Sequence, residues 1–166
     1  MEDNSGGISG IVIRQTGGGA APGDFNGNGI LDSGDIEQLS VEVRAGTNTA
    51  SFDLDNNGKV DAADRVVWVE GLKNTYFGDS NLDLSFNSSD FVVVFTAAKY
   101  EKGTPATWAE GDWNGDGVFS SADFVVAFSG AGYEAGPRPA QAVPEPAVPA
   151  ALIAMVVCLM ARRNRK

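Results

Sequence analysis

A twelve-residue pattern occurs four times in this chain, and it places oxygen-bearing side chains at fixed intervals. The clearest copy, residues 112–123, has such side chains at positions one, three, five, nine and twelve, and glycine at position six. Calcium takes roughly six to eight oxygen ligands, and a loop of this length supplies them from alternate side chains and from the carbonyl of position seven. Glycine at position six permits the sharp turn that brings the backbone around an ion. The pattern therefore predicts a calcium-binding loop.

The other copies occupy residues 24–35, 53–64 and 79–90, and the loops are numbered one to four in chain order. Loop three departs from the pattern because Leu84 stands at position six, where a positive φ would strain an L-residue. Its oxygen-bearing positions are complete, so we expect up to four Ca²⁺ ions, with loop three the least regular site. The predicted ligands, at positions one, three, five, seven, nine and twelve, are Asp24, Asn26, Asn28, Ile30, Asp32 and Asp35; Asp53, Asp55, Asn57, Lys59, Asp61 and Asp64; Asp79, Asn81, Asp83, Ser85, Asn87 and Asp90; and Asp112, Asn114, Asp116, Val118, Ser120 and Asp123.

An alternative is that these residues only form turns and helix caps, in which Asp, Asn, Ser and Gly are common. Capping accounts for positions nine and twelve, but it requires neither oxygen at positions one, three and five nor glycine at position six. Of the 14 aspartates, 13 occupy predicted ligand positions, which favours calcium. Position twelve is always aspartate and never the longer glutamate of calcium sensors, so we expect a calcium-stabilised fold rather than a switch.

Each loop is followed by a segment whose apolar residues recur at helical spacing, such as Ile36 and Leu39 after loop one. The segments after loops three and four also contain the β-branched runs 92–94 and 125–126, so a strand is the alternative there. A side chain able to cap a helix stands at position nine of every loop, which favours helices. We therefore predict a mainly α fold in which each repeat is a calcium loop followed by one exit helix.

The repeats fall into two pairs, because the Tyr-Glu dipeptide at residues 100–101 recurs at residues 133–134. This likeness predicts two tandem modules, residues 24–77 with loops one and two, and residues 79–136 with loops three and four. Position eight is apolar in every loop, which predicts that the two loops of a module meet there in a short antiparallel contact. The residues at position eight are Leu31, Val60, Phe86 and Phe119.

The charge and composition of the chain exclude several classes of function. A formal net charge of −10 argues against a nucleic-acid partner, which would need a basic patch. With no histidine and one cysteine, Cys158, the chain cannot form a zinc site, a disulfide framework or a histidine-activated nucleophile. The aspartates are committed to the loops, and no aromatic-lined cleft is evident around the remaining glutamates, so we expect a non-enzyme. A glycoside hydrolase with its catalytic domain upstream is the alternative.

The duplicated segments of residues 24–77 and 79–136 resemble type I dockerins at positions one, three, five, six, nine and twelve. That resemblance implies non-catalytic, calcium-binding modules of extracellular, often polysaccharide-degrading proteins that dock onto cohesin domains. It also implies that positions ten and eleven contact the partner. A spacer stabilised by calcium is the alternative to docking. The residues at positions ten and eleven are Ser33 and Gly34, Ala62 and Ala63, Ser88 and Ser89, and Ser121 and Ala122.

The C-terminus resembles a PEP-CTERM sorting signal, in which a Pro-Glu-Pro motif precedes an apolar segment and a basic end. Residues 137–146 form a linker with the motif Pro144, Glu145 and Pro146, and residues 162–166 are the basic tail. Residues 147–161 are predicted to be a transmembrane helix, although 15 residues are short for a hydrocarbon core of about 30 Å. The resemblance implies a processing transpeptidase and a bacterial envelope location; a simple tail anchor is the alternative. Membrane contact is predicted for Ala147, Leu152, Ile153, Val156, Val157, Leu159 and Ala161.

Residues 1–23 contain a short β-rich run among glycines and show no signal-peptide pattern. We expect an orphan strand followed by a glycine-rich linker, with a disordered start as the alternative. Because the modules would have to be exported, we expect either the C-terminal part of a longer secreted protein or a misassigned start codon. The sequence as a whole predicts a calcium-binding, dockerin-like module on an exported, membrane-anchored bacterial protein. Processing of the tail would release this protein to the surface or the extracellular matrix.

Overall fold

The computed structural model describes residues 21–139, and their regular elements are helices. Each calcium-type loop runs directly into a helix that begins at its position ten, so the predicted loop-plus-exit-helix repeat is confirmed. The two segments in which a strand was the alternative are both helical. The helices are α1 (Ser33–Ala45), α2 (Ala62–Val66), α3 (Ser88–Thr96) and α4 (Ser121–Ser129); a π-helical turn (Val67–Leu72) continues α2, and 3₁₀ turns lie at Ala50–Phe52 and Trp108–Glu110.

The start of each helix is fixed by a reciprocal pair of side-chain hydrogen bonds. The side chain at position nine accepts from a backbone N–H of the first turn, and the aspartate at position twelve accepts from the backbone N–H of position nine. This capping box satisfies donors that a helix otherwise leaves without partners. The prediction that position nine caps every helix is confirmed. The caps are Asp32, Asp61, Asn87 and Ser120.

The two loops of the second module are closed by backbone bonds that cross between the repeats. Glu134, which follows α4, donates its N–H to the Phe86 carbonyl of loop three at 2.8 Å. Glu101, which follows α3, donates to the Phe119 carbonyl of loop four at 2.9 Å. We expected the two position-eight residues to pair with each other, and this is wrong for the second module. Each of them accepts instead from the segment that follows the helix of the other repeat. Trp113 lies between the two phenylalanines, with ring centroids 6.0 Å from Phe86 and 5.8 Å from Phe119.

One hydrophobic core runs through both modules. Its buried members include Ile36, Leu39 and Trp68 from the first module and Trp108 and Trp113 from the second. The indole of Trp108 donates to the Asp79 carbonyl at 2.7 Å, while its backbone N–H donates to Glu37 of α1 at 3.4 Å. The sequence predicted two modules, and the structure shows that they are packed on each other through shared buried residues.

The predicted C-terminal transmembrane helix is not supported, and the fold class is corrected to mainly helical without it. Among residues 21–139 no helix has both the length and the apolar character needed to cross a membrane. The longest, α1, has 13 residues, whereas a span needs about 20. The run assigned to the span, residues 147–161, lies outside the described residues and is itself short of that length.

Candidate metal centres

The aspartate at position one of every loop is held by backbone N–H groups of the same loop. Asp24 Oδ2 accepts from Gly29, Asp53 Oδ2 from Gly58 and Asp112 Oδ2 from Gly117, at 3.0, 2.9 and 2.9 Å. In loop three, Asp79 Oδ2 accepts from Leu84 at 2.9 Å. Each of these donors is position six, so the loop backbone curls around the first carboxylate in the same way in all four copies.

The aspartate at position twelve ties the end of each loop back to its beginning. In loop one, Asp35 Oδ1 accepts from the N–H groups of Phe25 and Asn26 at 2.8 and 3.0 Å, while Oδ2 accepts from Asp32. Bonds of the same kind recur in the other loops. A carboxylate offers about four lone-pair sites, so three such bonds orient the group and leave a site on Oδ2 for a cation. The corresponding residues are Asp64, Asp90 and Asp123.

The side chains at positions three and five contact each other in loops two, three and four, and in loop one both contact the side chain at position nine. In loop one, the amides of Asn26 and Asn28 both donate to the carboxylate of Asp32 at 3.3 and 2.8 Å. In loop four, the amide of Asn114 donates to Asp116 at 2.9 Å. In loop two, the carboxylates of Asp53, Asp55 and Asp64 place oxygens within 4.8 Å of one another. Predicted side-chain ligands thus contact one another in every loop, and in loop two three carboxylates lie close enough to share an ion.

Position seven makes a backbone hydrogen bond in every loop, while the predicted role of its carbonyl as a calcium ligand stays a prediction. In each loop its N–H donates to the side-chain oxygen of position five, which orients the peptide groups at this point of the turn. The Ile30 side chain is 61% exposed and takes no part in the centre. The position-seven residues are Ile30, Lys59, Ser85 and Val118.

Loop three keeps the geometry of the other loops although leucines replace the residues that favour it. Leu84 at position six has φ +78° and Leu82 at position four has φ +56°. The corresponding residues of loop four are Gly115 and Gly117, at +84° and +94°. An L-residue in this region is strained by its Cβ, so loop three forms the same turn at an energetic cost.

The second module holds its position-one and position-twelve carboxylates in the protein interior. Burial raises the pKa of Asp79 and of Asp112 to about 6, against the hydrogen bonds that favour the charged form. Burial also raises the pKa of Asp90 and of Asp123. Anions in such surroundings gain from a cation that replaces the lost solvation. A cation bound beside these four carboxylates would therefore offset the cost of burying their charge.

The donor chemistry of the four loops fits a hard cation. The side-chain oxygens come from carboxylates, amides and a hydroxyl, without nitrogen or sulfur ligands among the predicted residues. Such sets suit Ca²⁺, whose flexible coordination tolerates mixed oxygen donors. When bound, the ion would be held by positions one, three, five and twelve, with position seven offering its carbonyl.

The sequence-family model of the dockerin type I domain matches residues 22–68, which include loops one and two and the helices α1 and α2. The matched segment, with its two loops, is therefore dockerin-like. Dockerin type I domains bind calcium and are non-catalytic docking modules, which agrees with the expectation that the chain is not an enzyme. No curated protein and no solved structure matches the chain.

Residues outside the loops that contact the predicted ligands could not be recognised from the loop pattern. Thr75, four residues before loop three, donates its hydroxyl to Asp79, and Arg44 of α1 reaches Asp112 of loop four. Neither lies inside a repeat pattern, and only the folded chain brings them to the loops. The predicted sorting residues 144–146 and the predicted membrane residues 147–161 lie outside the described part of the chain.

Proposed function

We propose that this chain is a calcium-stabilised docking module of an exported bacterial protein. Its partner is a cohesin-like protein. The observation that carries the calcium part is the repetition of one hydrogen-bonded cage in all four loops, with position six bound to position one each time. Without an ion, the mutual repulsion of the carboxylates opposes this cage. Calcium removes that repulsion and stabilises the fold.

Docking is supported by an exposed apolar surface on the second module, formed by equivalent residues of α3 and α4. Val92 and Val125 are 67% and 69% exposed, and Phe95 and Phe128 are 50% and 49% exposed. Phe91 and Phe124 pack between them, with ring centroids 6.0 Å apart. Grouped exposed apolar residues of this kind are typical of a protein-binding surface. Positions ten and eleven of loops three and four begin these same helices and are exposed.

Calcium binding is tested by isothermal titration and by thermal unfolding with calcium or with chelator. We expect calcium to raise the melting temperature, because an ion that binds only the folded state stabilises it by mass action. Asp123→Asn, which removes one ligand charge but keeps the shape, should lose part of that gain. A melting temperature that is the same with chelator as with calcium would contradict the calcium proposal.

Docking is tested by binding a cohesin domain from the same source to wild type, Val125→Lys and the control Val41→Lys. Val41 is also an exposed helical valine, 51% exposed, but it lies on α1, away from the proposed docking surface on α3 and α4. We expect binding that needs calcium and that Val125→Lys weakens at least tenfold, while Val41→Lys leaves it unchanged. No binding by a folded, calcium-loaded chain would leave the role of a calcium-stabilised spacer.

We also propose that the protein is exported and sorted at the bacterial envelope. This rests on Pro144, Glu145 and Pro146 followed by an apolar run and a basic end. Calcium loops that lack the longer glutamate of sensors suit the calcium-rich exterior of a cell. Fractionation of the source cells, with intact-mass analysis of the recovered chain, should find it in the envelope and shortened near Pro146. A full-length chain in the cytoplasm would contradict this.

A further inference from the structure

Two arginines of the first module reach into loop four of the second module. Arg44 of α1 donates from Nη1 to the Gly115 carbonyl at 2.9 Å and lies 3.3 Å from Asp112 Oδ2. Arg65 of α2 donates from Nη2 to the Trp113 carbonyl at 3.0 Å. Loop four therefore receives three contacts from cationic side chains of the other module, and two of them end on its backbone carbonyls.

The backbone of loop four is fitted closely around these side chains. A Cβ at Gly115 would stand 2.5 Å from Arg65 Cζ, so only glycine leaves room for the guanidinium. Arg65 is 2% exposed and donates from Nε to the Ser40 hydroxyl at 3.0 Å, which anchors it to α1. Arg44 is also held by Glu37 of its own helix, with Nη2 3.4 Å from Oε1. The arginines are thus positioned by the first module before they meet the second.

Loop four differs from the other loops in this respect. Within residues 21–139, Asp112 is the only predicted calcium ligand that forms a salt bridge. The equivalent residue of loop three, Asp79, accepts from the neutral hydroxyl of Thr75. The side chain of Asp112 is 1% exposed, so its interaction with the guanidinium is poorly screened by solvent. A calcium ion at loop four would share Asp112 with a positive charge supplied by the first module.

We propose that Arg44 opposes calcium binding at loop four, so that occupancy of this loop is thermodynamically linked to the contact between the two modules. Without calcium, Arg44 neutralises Asp112 and joins the modules. With calcium, the guanidinium and the ion repel each other, and the Arg44 contact is weakened. Linkage is reciprocal, so the free energy by which Arg44 weakens calcium binding equals the free energy by which calcium weakens the Arg44 contact between the modules. This inference rests on the proposed calcium site in loop four.

The test compares Arg44→Gln with Lys102→Gln, which makes the same charge change at an exposed residue. Calcium is titrated into the full chain and followed by NMR at the backbone amides of position six, Gly117 for loop four and Leu84 for loop three. We expect Arg44→Gln to tighten calcium binding at loop four by about tenfold and to leave loop three within about twofold. Lys102→Gln should change both loops little and equally. Equal or weaker binding at loop four in Arg44→Gln would overturn the proposal.

A second readout closes the thermodynamic cycle without relying on affinity alone. The loss of stability caused by Arg44→Gln, measured by urea unfolding, should be larger in chelator than in saturating calcium. A tenfold change in affinity corresponds to a difference of about 1.4 kcal/mol between the two conditions. Equal losses in both conditions would show that Arg44 supports the interface without reference to calcium.

The wild-type chain provides a measurement that does not depend on whether the variant folds. The Nε–Hε signal of Arg44 should shift during the calcium titration with the same midpoint as the Gly117 amide. An Arg44 signal that stays unchanged while Gly117 responds would overturn the linkage alone. A Gly117 amide that does not respond to calcium would instead overturn the proposed calcium site in loop four.

Discussion

Single residues decide how easily each loop adopts its turn. Positions four and six have positive φ in all four loops, and glycine or asparagine occupies them everywhere except in loop three. The sequence marked Leu84 as the irregular residue, and the structure shows that it accepts the strained conformation. Leu82 escaped notice because the motif places no constraint on position four, where loop two has asparagine and loops one and four have glycine.

Leu84→Gly should stabilise the chain. Leu84 is 37% exposed and has φ +78°, so removing the side chain relieves backbone strain at a small loss of buried area. We expect the free energy of unfolding to rise by about 0.5–1 kcal/mol in urea unfolding with chelator. Leu84→Ala is the matched control, because it shortens the side chain but keeps the Cβ. A rise of equal size in Leu84→Ala would assign the gain to something other than backbone strain.

At the scale of the elements, the sequence predicted where each helix begins but not how the loops are closed. Position nine and position twelve form a capping box in every repeat, a local arrangement that can be read from residue spacing. The bonds from Glu134 to Phe86 and from Glu101 to Phe119 are not local. An apolar residue at position eight reveals that this position faces inward and leaves its backbone partner undefined.

The end of α2 widens into a π-helical turn that places Trp68 in the core. Its indole donates to the Gly23 carbonyl at 2.9 Å, which joins the exit helix of loop two to the chain just before loop one. The helical spacing of apolar residues after the loops did not single out Trp68 as a core residue. The wider turn, in which Lys73 donates to the Trp68 carbonyl, shifts the register of the inward side chains.

Trp68→Phe should destabilise the chain by about 1–3 kcal/mol in urea unfolding. The variant leaves a smaller ring in a fully buried position and removes the only side-chain donor recorded for the Gly23 carbonyl among the described residues. Val66→Ala, on the same helix and 44% exposed at Val66, is the control and should change stability by less than about 1 kcal/mol. Equal effects of the two changes would show that neither the indole bond nor the burial matters.

At the scale of the whole molecule, two similar modules have different electrostatic surroundings. The carboxylates whose pKa burial raises, Asp79, Asp90, Asp112 and Asp123, all belong to the second module. The repeat pattern does not reveal this difference between the modules, because it describes each loop alone. Burial of loops three and four depends on contacts from Trp108 and from the arginines of the first module, which are long-range and leave no mark on the spacing of the ligands.

The calcium-free chain should become less stable as the pH rises from about 4 to 6. The pKa of Asp79 and of Asp112 is about 6 in the folded chain, above the value of 3.8 for a free aspartate, so the folded state binds more protons in this range. Stability therefore falls as these protons are lost, by roughly 1.4 kcal/mol per pKa unit and group at most. Urea unfolding in chelator across this range measures the slope.

Asp112→Asn is the control for this pH dependence, because an amide cannot titrate. It should remove about half of the slope that the two aspartates produce. Stability that rises with pH from 4 to 6 in chelator would contradict the raised pKa values.

The crossed bonds of the second module also govern the order in which it can be built. Loop three is completed by the N–H of Glu134, which follows the last helix, and loop four is completed by Glu101, which precedes it. During synthesis, every predicted ligand of loop three therefore leaves the ribosome well before Glu134 does. The two crossed backbone bonds therefore become available within the same short interval, so the two repeats of this module can be tied together only when the whole module has been synthesised.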